Sequence, residues 1–408
     1  MKPLRKEDSE PPVRLWEGLT RTQLASLDAC TRCGQCIKWC PVQDILGAPE
    51  VSPPEKISLF KELLAAQRGA RAVLLGQRPV DTAKLARLTD ALYKCTTCGV
   101  CGEYCEVGIS CMRLWPALRH KMVELGAGPV GPQRDTLRIV WEKKNPYDQP
   151  HAERLAFLPE NVRVAEKAET GFFVGCSGAY PAKPMVAGAV TVLQAAGIEF
   201  TILDDEWCCG FPLWVIGEHQ KVEELIRHNV EGLQARGVKR LVTSCPCCTN
   251  MITANWPLFY GKELPFELVH TTEVVAQALQ RGKLKLRKEY KKKVTYHDPC
   301  YLARGAREVI RPPRQVLEYV PGIDLVEMPR HGRLSKCCGA GGGIRRAHFQ
   351  LSVDMANALI LDGERLGVEE MLIDCPACFE RLHLAQAQPD HPSDLPVLDL
   401  MQVVAGLL

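Results

Sequence analysis

The sequence predicts a multidomain α+β protein, in which a mostly helical N-terminal domain precedes two repeated α/β modules. Two dense cysteine runs in the first 105 residues, set among helix-forming stretches, indicate the N-terminal domain. In the second half, a set of five cysteines occurs twice in the same order: a lone Cys, then CCG, then CxxC. Short apolar strands alternate with helical stretches around each set, which is the pattern of a parallel α/β fold.

The number of cysteines, twenty in 408 residues, restricts the class of protein. The start of the chain has no apolar signal-peptide region, so we expect a reducing compartment and metal-bound thiolates rather than disulfides. A net charge of +3 gives no indication of a nucleic-acid partner. No apolar stretch reaches the roughly 18 residues that a membrane span needs. We therefore expect a cytoplasmic protein with no transmembrane segment of its own, a prediction that leaves open attachment to the inner membrane face through a partner subunit.

The first cysteine run has the spacing C-x2-C-x2-C-x3-C-P, which is typical of bacterial ferredoxins. The second run repeats the spacing, with Glu106 in place of the proline. In two-cluster ferredoxins the fourth Cys of each run serves the other cluster, which assigns one cubane [4Fe–4S] cluster to Cys30, Cys33, Cys36 and Cys105. The second cubane is then assigned to Cys95, Cys98, Cys101 and Cys40. The crowded backbone in these runs is expected to be relieved by Gly34, Gly99 and Gly102.

Two structural zinc sites would also use eight cysteines, but three cysteines within seven residues favour iron–sulfur clusters. Cys111 is surplus, and we interpret it as a buried thiol. Around the runs we predict helices over Glu55–Arg68, from an Asp81 cap to Leu92, and over Leu114–Leu125. The predicted N-terminal organisation is an arm over 1–20, the cluster domain over 21–127, and an irregular connector over 128–170.

The first five-cysteine set consists of Cys176, Cys208, Cys209, Cys245 and Cys248. The second consists of Cys300, Cys337, Cys338, Cys375 and Cys378. The lone Cys and the CCG are 32 residues apart in the first set and 37 in the second, and the CCG and the CxxC are 36 and 37 residues apart. These nearly equal gaps show that the sets mark an internal repeat. A cube or a zinc ion takes four ligands, so the fifth thiolate is either a spectator or belongs to a larger, opened cluster. Cys247 has no equivalent in the second set, where Ala377 stands, and is interpreted as a spectator.

The modules are predicted to cover 171–281 and 294–408, separated by a basic linker over 282–293 that we interpret as solvated rather than as a docking surface. The predicted strands are Phe172–Gly175, Phe200–Leu203, Arg240–Thr243, Val294–Tyr296, Asp324–Glu327 and Met371–Ile373. Cysteines follow the carboxyl ends of these strands, where parallel sheets place their ligand sites. The glycine-rich loop Gly339–Gly343 is expected to offer free amides to sulfur or substrate. It does not lie in a strand–GxGxxG–helix unit, so no flavin or nicotinamide site is predicted.

Together, the two ferredoxin runs and the two five-cysteine sets resemble the fused catalytic subunit of heterodisulfide reductase and the wider cysteine-rich-domain family of iron–sulfur oxidoreductases. The segments Tyr296–Arg304 and Cys337–Gly343 add to the resemblance. The resemblance implies Rossmann-like modules, with one noncubane [4Fe–4S] cluster on each set and the two clusters facing a common substrate cleft. The ten cysteines would then be catalytic: a disulfide is reduced, or formed, between the clusters, while electrons pass through the two cubanes.

An alternative stays open in which the chain only relays electrons between a flavoprotein or membrane cytochrome and quinone or ferredoxin. A zinc-stabilised scaffold is a more distant possibility. In either redox hypothesis the chain needs partner subunits, of the flavoprotein or cytochrome b type. The substrate would be a small-molecule or protein disulfide or thiol. His297 and His331 are possible proton donors, but we interpret both as structural.

Overall fold

The N-terminal domain is helical, as predicted. The structure is a computed structural model that describes residues 14–68, 74 and 80–408, so residues 1–13 of the predicted arm lie outside it. The buried side chains of Phe60 and Trp115 belong to the core of this domain. The described α-helices of the domain include Arg21–Ala29, Pro41–Leu46, Pro53–Arg68, Thr82–Tyr93, Val100–Glu103 and Cys111–Glu124.

The helix starts in this domain follow their sequence signals. Pro53 and Pro54 occupy the first turn of Pro53–Arg68, where the N–H that proline lacks would have no partner within the helix. Asp81 caps the helix Thr82–Tyr93 by accepting a hydrogen bond of 3.0 Å from the backbone N–H of Lys84. The predicted Asp81 cap is therefore confirmed.

The first α/β module contains a parallel sheet of three strands, β1 (Thr170–Phe173), β2 (Arg240–Thr243) and β3 (Glu267–His270), in the order β1-β2-β3. On the free side of β1, Gly171 pairs with Thr201 through an isolated parallel bridge. The α-helices of this module are Cys176–Ala179, Lys183–Ala195, Phe211–Ile216, Val222–Ala235, Pro246–Ala254, Trp256–Tyr260 and Thr271–Gln280.

The second module repeats this topology. Its strands β4 (Lys293–Tyr296), β5 (Asp324–Leu325), β6 (Glu370–Ile373) and β7 (Val397–Asp399) are all parallel and lie in the order β5-β4-β6-β7. With Thr201 counted in the place of β5, the first module has the same order, so the repeat read from the cysteines is also a repeat of the fold. The α-helices are Cys300–Ala303, Arg311–Glu318, Ile344–Ala347, Phe349–Glu364, Pro376–Gln386 and Leu400–Gly406.

Three predictions about local structure need correction. The predicted strand Phe200–Leu203 is reduced to the single bridge at Thr201, and Asp324–Glu327 is shortened to β5. The connector is not irregular throughout, because it contains the helix Thr136–Lys143. This helix buries Thr136, Ile139 and Val140, an apolar face too short to stand out in the sequence.

The two modules share one hydrophobic core, which includes Phe172 and Val186 of the first and Tyr296 and Leu400 of the second. The helix Lys183–Ala195 packs against Leu400–Gly406. Gly188 allows this close approach, because a Cβ there would lie 3.0 Å from the backbone of the second helix. In the described part of the chain, residues 14–68, 74 and 80–408, no helix has the length and apolarity needed to cross a membrane.

The basic segment between the modules is packed more closely than a solvated linker would be. Leu284 is buried in the shared core, and the backbone N–H of Arg287 donates a hydrogen bond of 2.7 Å to the carbonyl oxygen of Leu407. The lysine and arginine side chains around them are mostly exposed. The charge pattern indicated the exposed side chains but not the apolar anchor beneath them.

Arg119 joins the N-terminal domain to both modules. Its fully buried guanidinium donates hydrogen bonds to the carbonyl oxygens of Leu92 and Cys95 at 2.6 and 2.5 Å, within its own domain. It also donates to Val215 of the first module at 2.7 Å and to Gly342 of the second at 2.8 Å. The three parts of the chain therefore meet at the second cysteine run.

Candidate cluster-binding sites

The lone Cys and the CxxC of the first set follow parallel strands, as predicted. Cys176 comes three residues after β1, and Cys245 begins the helix Pro246–Ala254 directly after β2. The Sγ atoms of Cys209 and Cys248 are 3.4 Å apart, and all five cysteines are buried. Gly175, at φ 70°, passes so close to this group that a Cβ would lie 3.0 Å from the Cys248 sulfur.

The second set is assembled in the same way. Cys375 begins the helix Pro376–Gln386 after β6, and its Sγ accepts a hydrogen bond of 3.4 Å from the backbone N–H of Cys378. The Sγ atoms of Cys338 and Cys378 are 3.1 Å apart. Cys337 accepts a hydrogen bond of 3.4 Å from the backbone N–H of Gly339. The set is buried apart from the half-buried Cys300.

The packed thiols fit a metal cluster and not disulfides. All twenty cysteines are free, and the sulfur separations of 3.1 and 3.4 Å are far longer than the roughly 2.05 Å of a disulfide bond. The neighbouring Cys208 thiol, together with burial, raises the pKa of Cys176 well above its ordinary value. Hydrogen bonds from Cys208 and Cys248 lower the pKa of Cys209 to about 6. Since close thiols cannot all ionise together without a counter-charge, bound iron would supply the positive charge that this donor set requires.

A cavity of about 90 Å³ lies between the first set and the second module. The first set and Cys247 line one side of it, while Ala340–Gly343, Arg345 and Ala377 line the other. Ala377 is the counterpart of Cys247, so the equivalent positions of the two CxxC motifs border the same cavity. The structure thus brings both modules to one cleft.

The glycine-rich loop has a packing role that the sequence did not reveal. A Cβ on Gly341 would lie 2.7 Å from the carbonyl oxygen of Thr96, and one on Gly342 would lie 2.3 Å from that of Cys95. These two positions therefore accept only glycine, because the backbone of the second cysteine run passes over them. The loop borders the cavity on one face and the N-terminal domain on the other.

Buried ion pairs lie beside the lone cysteines, and spacing alone did not predict them. The Arg154 guanidinium lies 3.8 Å from the Cys176 sulfur and pairs with Glu206. Glu206 also accepts hydrogen bonds from the backbone N–H groups of Val174 and Gly175, at 2.7 and 2.9 Å. Arg154 lies in the predicted connector, far from the cysteines in the sequence. The one sequence feature that could have indicated the ion pair was Glu206, just before the CCG.

The second module has a corresponding pair two residues before Cys300. Arg314 donates two hydrogen bonds of 2.8 Å to the buried carboxylate of Asp298, which also accepts from the backbone N–H of Gly332 at 2.6 Å. His297, next to Asp298 in the chain, has its Nε2 atom 4.0 Å from the Cys378 sulfur. His331 is half exposed and lies 4.0 Å from Glu327. Of the two histidines singled out in the sequence, only His297 thus contacts a cysteine set.

The N-terminal runs form two groups, which we call the outer and inner sites. The outer site is lined by cysteines of both runs around a cavity of about 70 Å³. By the predicted assignment it comprises Cys30, Cys33, Cys36 and Cys105, and Cys101 and Cys111 also line its cavity. Cys33 is exposed, whereas Cys40, Cys98 and Cys101 of the inner site are buried and Cys95 is half-buried. Cys101 and Cys105 of the second run thus border the same cavity as the first run, and the division of the eight cysteines into two sets of four stays a prediction.

The two runs share an unusual backbone conformation. Arg32 and Thr97, each just before the second Cys of its run, have φ of 59° and 57°. Gly34 and Gly99, just after that Cys, have φ of 78° and 77°. Left-handed residues on both sides curl the backbone tightly around each site. Gly102 has another role, because a Cβ there would lie 2.8 Å from the carbonyl oxygen of Ile109.

The inner site touches the second five-cysteine set. Cys40 and Cys98 share a buried cluster with Cys337. A hydrogen bond with Cys337, followed by burial, raises the pKa of Cys98 well above its ordinary value. Cys111 is buried beside Cys101 and also borders the outer cavity, so the surplus thiol lies between the two N-terminal sites.

A helical domain with two interleaved cysteine runs, followed by two parallel α/β modules that bring five thiols together, defines an iron–sulfur protein with cysteine-rich domains. Comparison with known sequences agrees with this class. The family description "4Fe-4S dicluster domain" matches residues 26–109, and "Cysteine-rich domain" matches residues 170–253 and 294–383.

The chain belongs to a family of heterodisulfide reductase subunits. It is 37% identical over 96% of both chains to a subunit of the dihydromethanophenazine:CoB–CoM heterodisulfide reductase of Methanosarcina barkeri. It is 28% identical to a subunit of the fumarate reductase (CoM/CoB) of Methanothermobacter marburgensis, covering 93% of this chain and 72% of that one. A crystal structure of a hypothetical protein from Helicobacter pylori shares the fold, with a TM-score of 0.56 and 11% identity over 96% of this chain and 73% of that one.

Proposed function

We propose that this chain reduces, or forms, a disulfide at a site between its two five-cysteine sets. The observation that carries the proposal is the cavity that the first set shares with the glycine-rich loop and Ala377 of the second module. Both sets are complete, so either one has the five thiols that an opened cluster would use. The names of the relatives, which include heterodisulfide reductase, support this reaction class.

The proposed cofactors are two cubane and two noncubane [4Fe–4S] clusters. The outer and inner sites would hold the cubanes, and each five-cysteine set would hold one noncubane cluster. Bound there, the clusters would supply the two electrons that disulfide cleavage consumes, so about 16 irons per chain are expected at four per cluster. The ten cysteines of the two sets would be the catalytic ligands, while Cys111 and Cys247 would hold no iron.

The chain itself would hold these groups in a fixed order. The exposed Cys33 places the outer site where a partner subunit can reach it, and the buried inner site contacts the second set through Cys98 and Cys337. Electrons would therefore arrive at the outer site and reach the cleft through the second module. We propose a flavoprotein or cytochrome b type subunit as the partner, since the relatives are named as subunits.

We also propose the domain boundaries 21–127, 128–170, 171–281, 282–293 and 294–408. A Rossmann-like classification of the two modules is part of the same proposal, and it is supported by the parallel strand order that they share. In that topology the chain leaves the first strand toward one side of the sheet and later returns to its other side. The lone Cys and the CxxC follow the two neighbouring strands at this reversal, which explains why they meet.

Disulfide consumption tests the proposed reaction. Anaerobically prepared protein is mixed with reduced methyl viologen and with the heterodisulfide of coenzyme M and coenzyme B, the compounds in the relatives' names. We expect two viologen radicals to be oxidised and two protons taken up for each disulfide converted to two thiols. Reoxidation of the clusters by a quinone analogue, with the disulfide left unchanged, would favour the electron-relay alternative.

A further inference from the structure

The inner site contains a buried lysine with no carboxylate partner. Lys56, in the helix Pro53–Arg68, is only 1% exposed. Its Nζ lies 4.5 Å from the centre of the Trp115 ring. Within residues 14–68, 74 and 80–408, no Asp or Glu forms an ion pair with it. The groups that attract its ammonium are the thiols of Cys95, Cys40, Cys101 and Cys111.

A second buried lysine shows that this arrangement is unusual. Lys121 is 3% exposed, but it pairs with Glu124 as buried charges ordinarily do. An unpaired buried ammonium is costly, and a group in that position needs negative charge close by. Three of the four thiols that attract Lys56 belong to the inner site, so the expected counter-charge is the site itself.

Trp115 adds an independent polar group at the same place. Its side chain is fully buried, and its indole N–H has no hydrogen-bond acceptor among the residues that the structure describes. The Cys111 thiol most of all, and then Lys56 and Trp115, lower the pKa of Cys101 to about 7. The outer site differs, because its cysteines lie nearer the surface and the neighbouring Arg32 side chain is 62% exposed.

A [4Fe–4S] cluster held by four thiolates carries a net negative charge, which grows by one when it accepts an electron. Burial therefore disfavours the reduced state, and a fixed positive charge in the same low-dielectric site favours it. A neutral N–H donor toward a ligand sulfur acts in the same direction. The buried inner site has the positive charge of Lys56, and the indole N–H of Trp115 is free to donate to a sulfur atom of a bound cluster.

We propose that Lys56, assisted by Trp115, is the counter-charge of the inner cubane and raises its reduction potential. This inference rests on the proposed assignment of a cubane to Cys95, Cys98, Cys101 and Cys40. Lys56 would not bind the cluster directly. It would act through its positive charge, which favours the added electron, and through its contact with Trp115. Its function would be to make the step from the exposed outer cubane to the buried inner one favourable.

The test is a redox titration of full-length, iron-loaded protein, with the reduced cubane signals followed by electron paramagnetic resonance. The titrant is dithionite, which donates one electron to each cubane. The variants are Lys56→Met and Trp115→Phe, with Lys61→Met as the matched control on the same helix. Lys61 is partly exposed and lies 3.8 Å from Asp28. The inner signal is identified as the one that Cys98→Ser alters.

We expect Lys56→Met to lower the potential of the inner cubane, Trp115→Phe to lower it less, and Lys61→Met to leave both cubanes unchanged. An unchanged inner potential in Lys56→Met would overturn the inference, with the cubane assignment still intact. If Lys56→Met does not retain the inner cubane, the test uses Lys56→Arg, which keeps the positive charge. An inner cubane that Lys56→Arg retains at the wild-type potential supports the proposed role of the positive charge. Loss of the inner cubane in both variants contradicts that role. Absence of two cubane signals from the unsubstituted protein would instead refute the assignment itself.

Discussion

The Arg304 guanidinium, four residues after Cys300, donates a hydrogen bond of 2.8 Å from Nε to the carbonyl oxygen of Cys98. The same side chain donates to the carbonyl oxygens of Arg333 and Ser335 at 2.7 and 3.0 Å. One buried residue of the second module therefore fixes the inner site against the loop that leads to Cys337. In the proposed electron path, this contact would hold the inner site against the second set.

Replacing Arg304 with Met should weaken that junction. The variant would leave buried carbonyl oxygens without donors, which costs about 1–3 kcal/mol for each group. We expect lower thermal stability and a slower reoxidation of the inner cubane by disulfide, measured by stopped-flow absorbance. Arg333→Met is the control, since that side chain binds Glu103 and Glu308 at a more exposed position. Equal stability and equal rates in both variants would contradict the proposed role of the junction.

Replacing Cys338 with Ser should remove the cluster of the second set alone. The variant is expected to lose about four irons and the noncubane signal, because Cys338 lies 3.1 Å from Cys378 at the centre of that set. Iron analysis and electron paramagnetic resonance measure the loss. Cys247→Ala should retain every cluster. Disappearance of the cubane signals in Cys338→Ser would mean that the division into four sites is wrong.

The ion pair beside Cys176 should contribute strongly to stability. Arg154→Met would leave Glu206, 1% exposed, without its cation, and the loss of one partner of a buried pair costs about 3–5 kcal/mol. Anaerobic denaturant unfolding of the holoprotein measures this loss. The double variant Arg154→Met, Glu206→Gln should recover part of it.

The exposed pair of Arg227 and Glu223 supplies the comparison for that measurement. Its side chains are 52% and 57% exposed, so Arg227→Met should cost less than about 1 kcal/mol. If Arg154→Met and Arg227→Met lower the free energy of unfolding by similar amounts, burial of the first pair does not increase its contribution to stability.

His219 should make stability depend on pH below neutrality. Burial, followed by the stacked His120 ring 3.9 Å away, lowers the pKa of His219 to about 4. The unfolded chain binds a proton there below about pH 6.5, whereas the folded chain resists it until about pH 4. The stabilisation is therefore complete above pH 6.5 and is lost as the pH falls from 6.5 toward 4.

Thermal unfolding of the holoprotein between pH 5.5 and 7.5 measures this effect. His219→Phe keeps an aromatic ring and cannot bind the proton, so its stability should fall less as the pH decreases. A wild-type slope in His219→Phe would show that another group governs the pH dependence.

The cysteine spacing was sufficient to predict that distant cysteines of each five-cysteine set come together, as Cys209 with Cys248 and Cys338 with Cys378 do, while their roles as cluster ligands stay predictions. It also predicted the fold class, since the repeat of the cysteines is a repeat of the strands that precede them. The sequence could not reveal Arg119, Arg154 or Lys56, because a charged residue shows its importance only when tertiary packing buries it. The roles of Gly341 and Gly342 were missed for the same reason, since their partner is the backbone of a distant domain.

The central proposal is that a substrate sulfur reaches the cavity that the first five-cysteine set shares with the glycine-rich loop and Ala377 of the second module. Electron paramagnetic resonance of oxidised, anaerobically purified protein tests it directly, with and without coenzyme M or coenzyme B as the thiol. We predict a new paramagnetic signal that appears only with thiol and is absent from Cys209→Ser, because Cys209 lines that cavity. Spectra unchanged by either thiol, from protein that shows both cubane signals on reduction, would contradict the claim and favour a chain that only relays electrons.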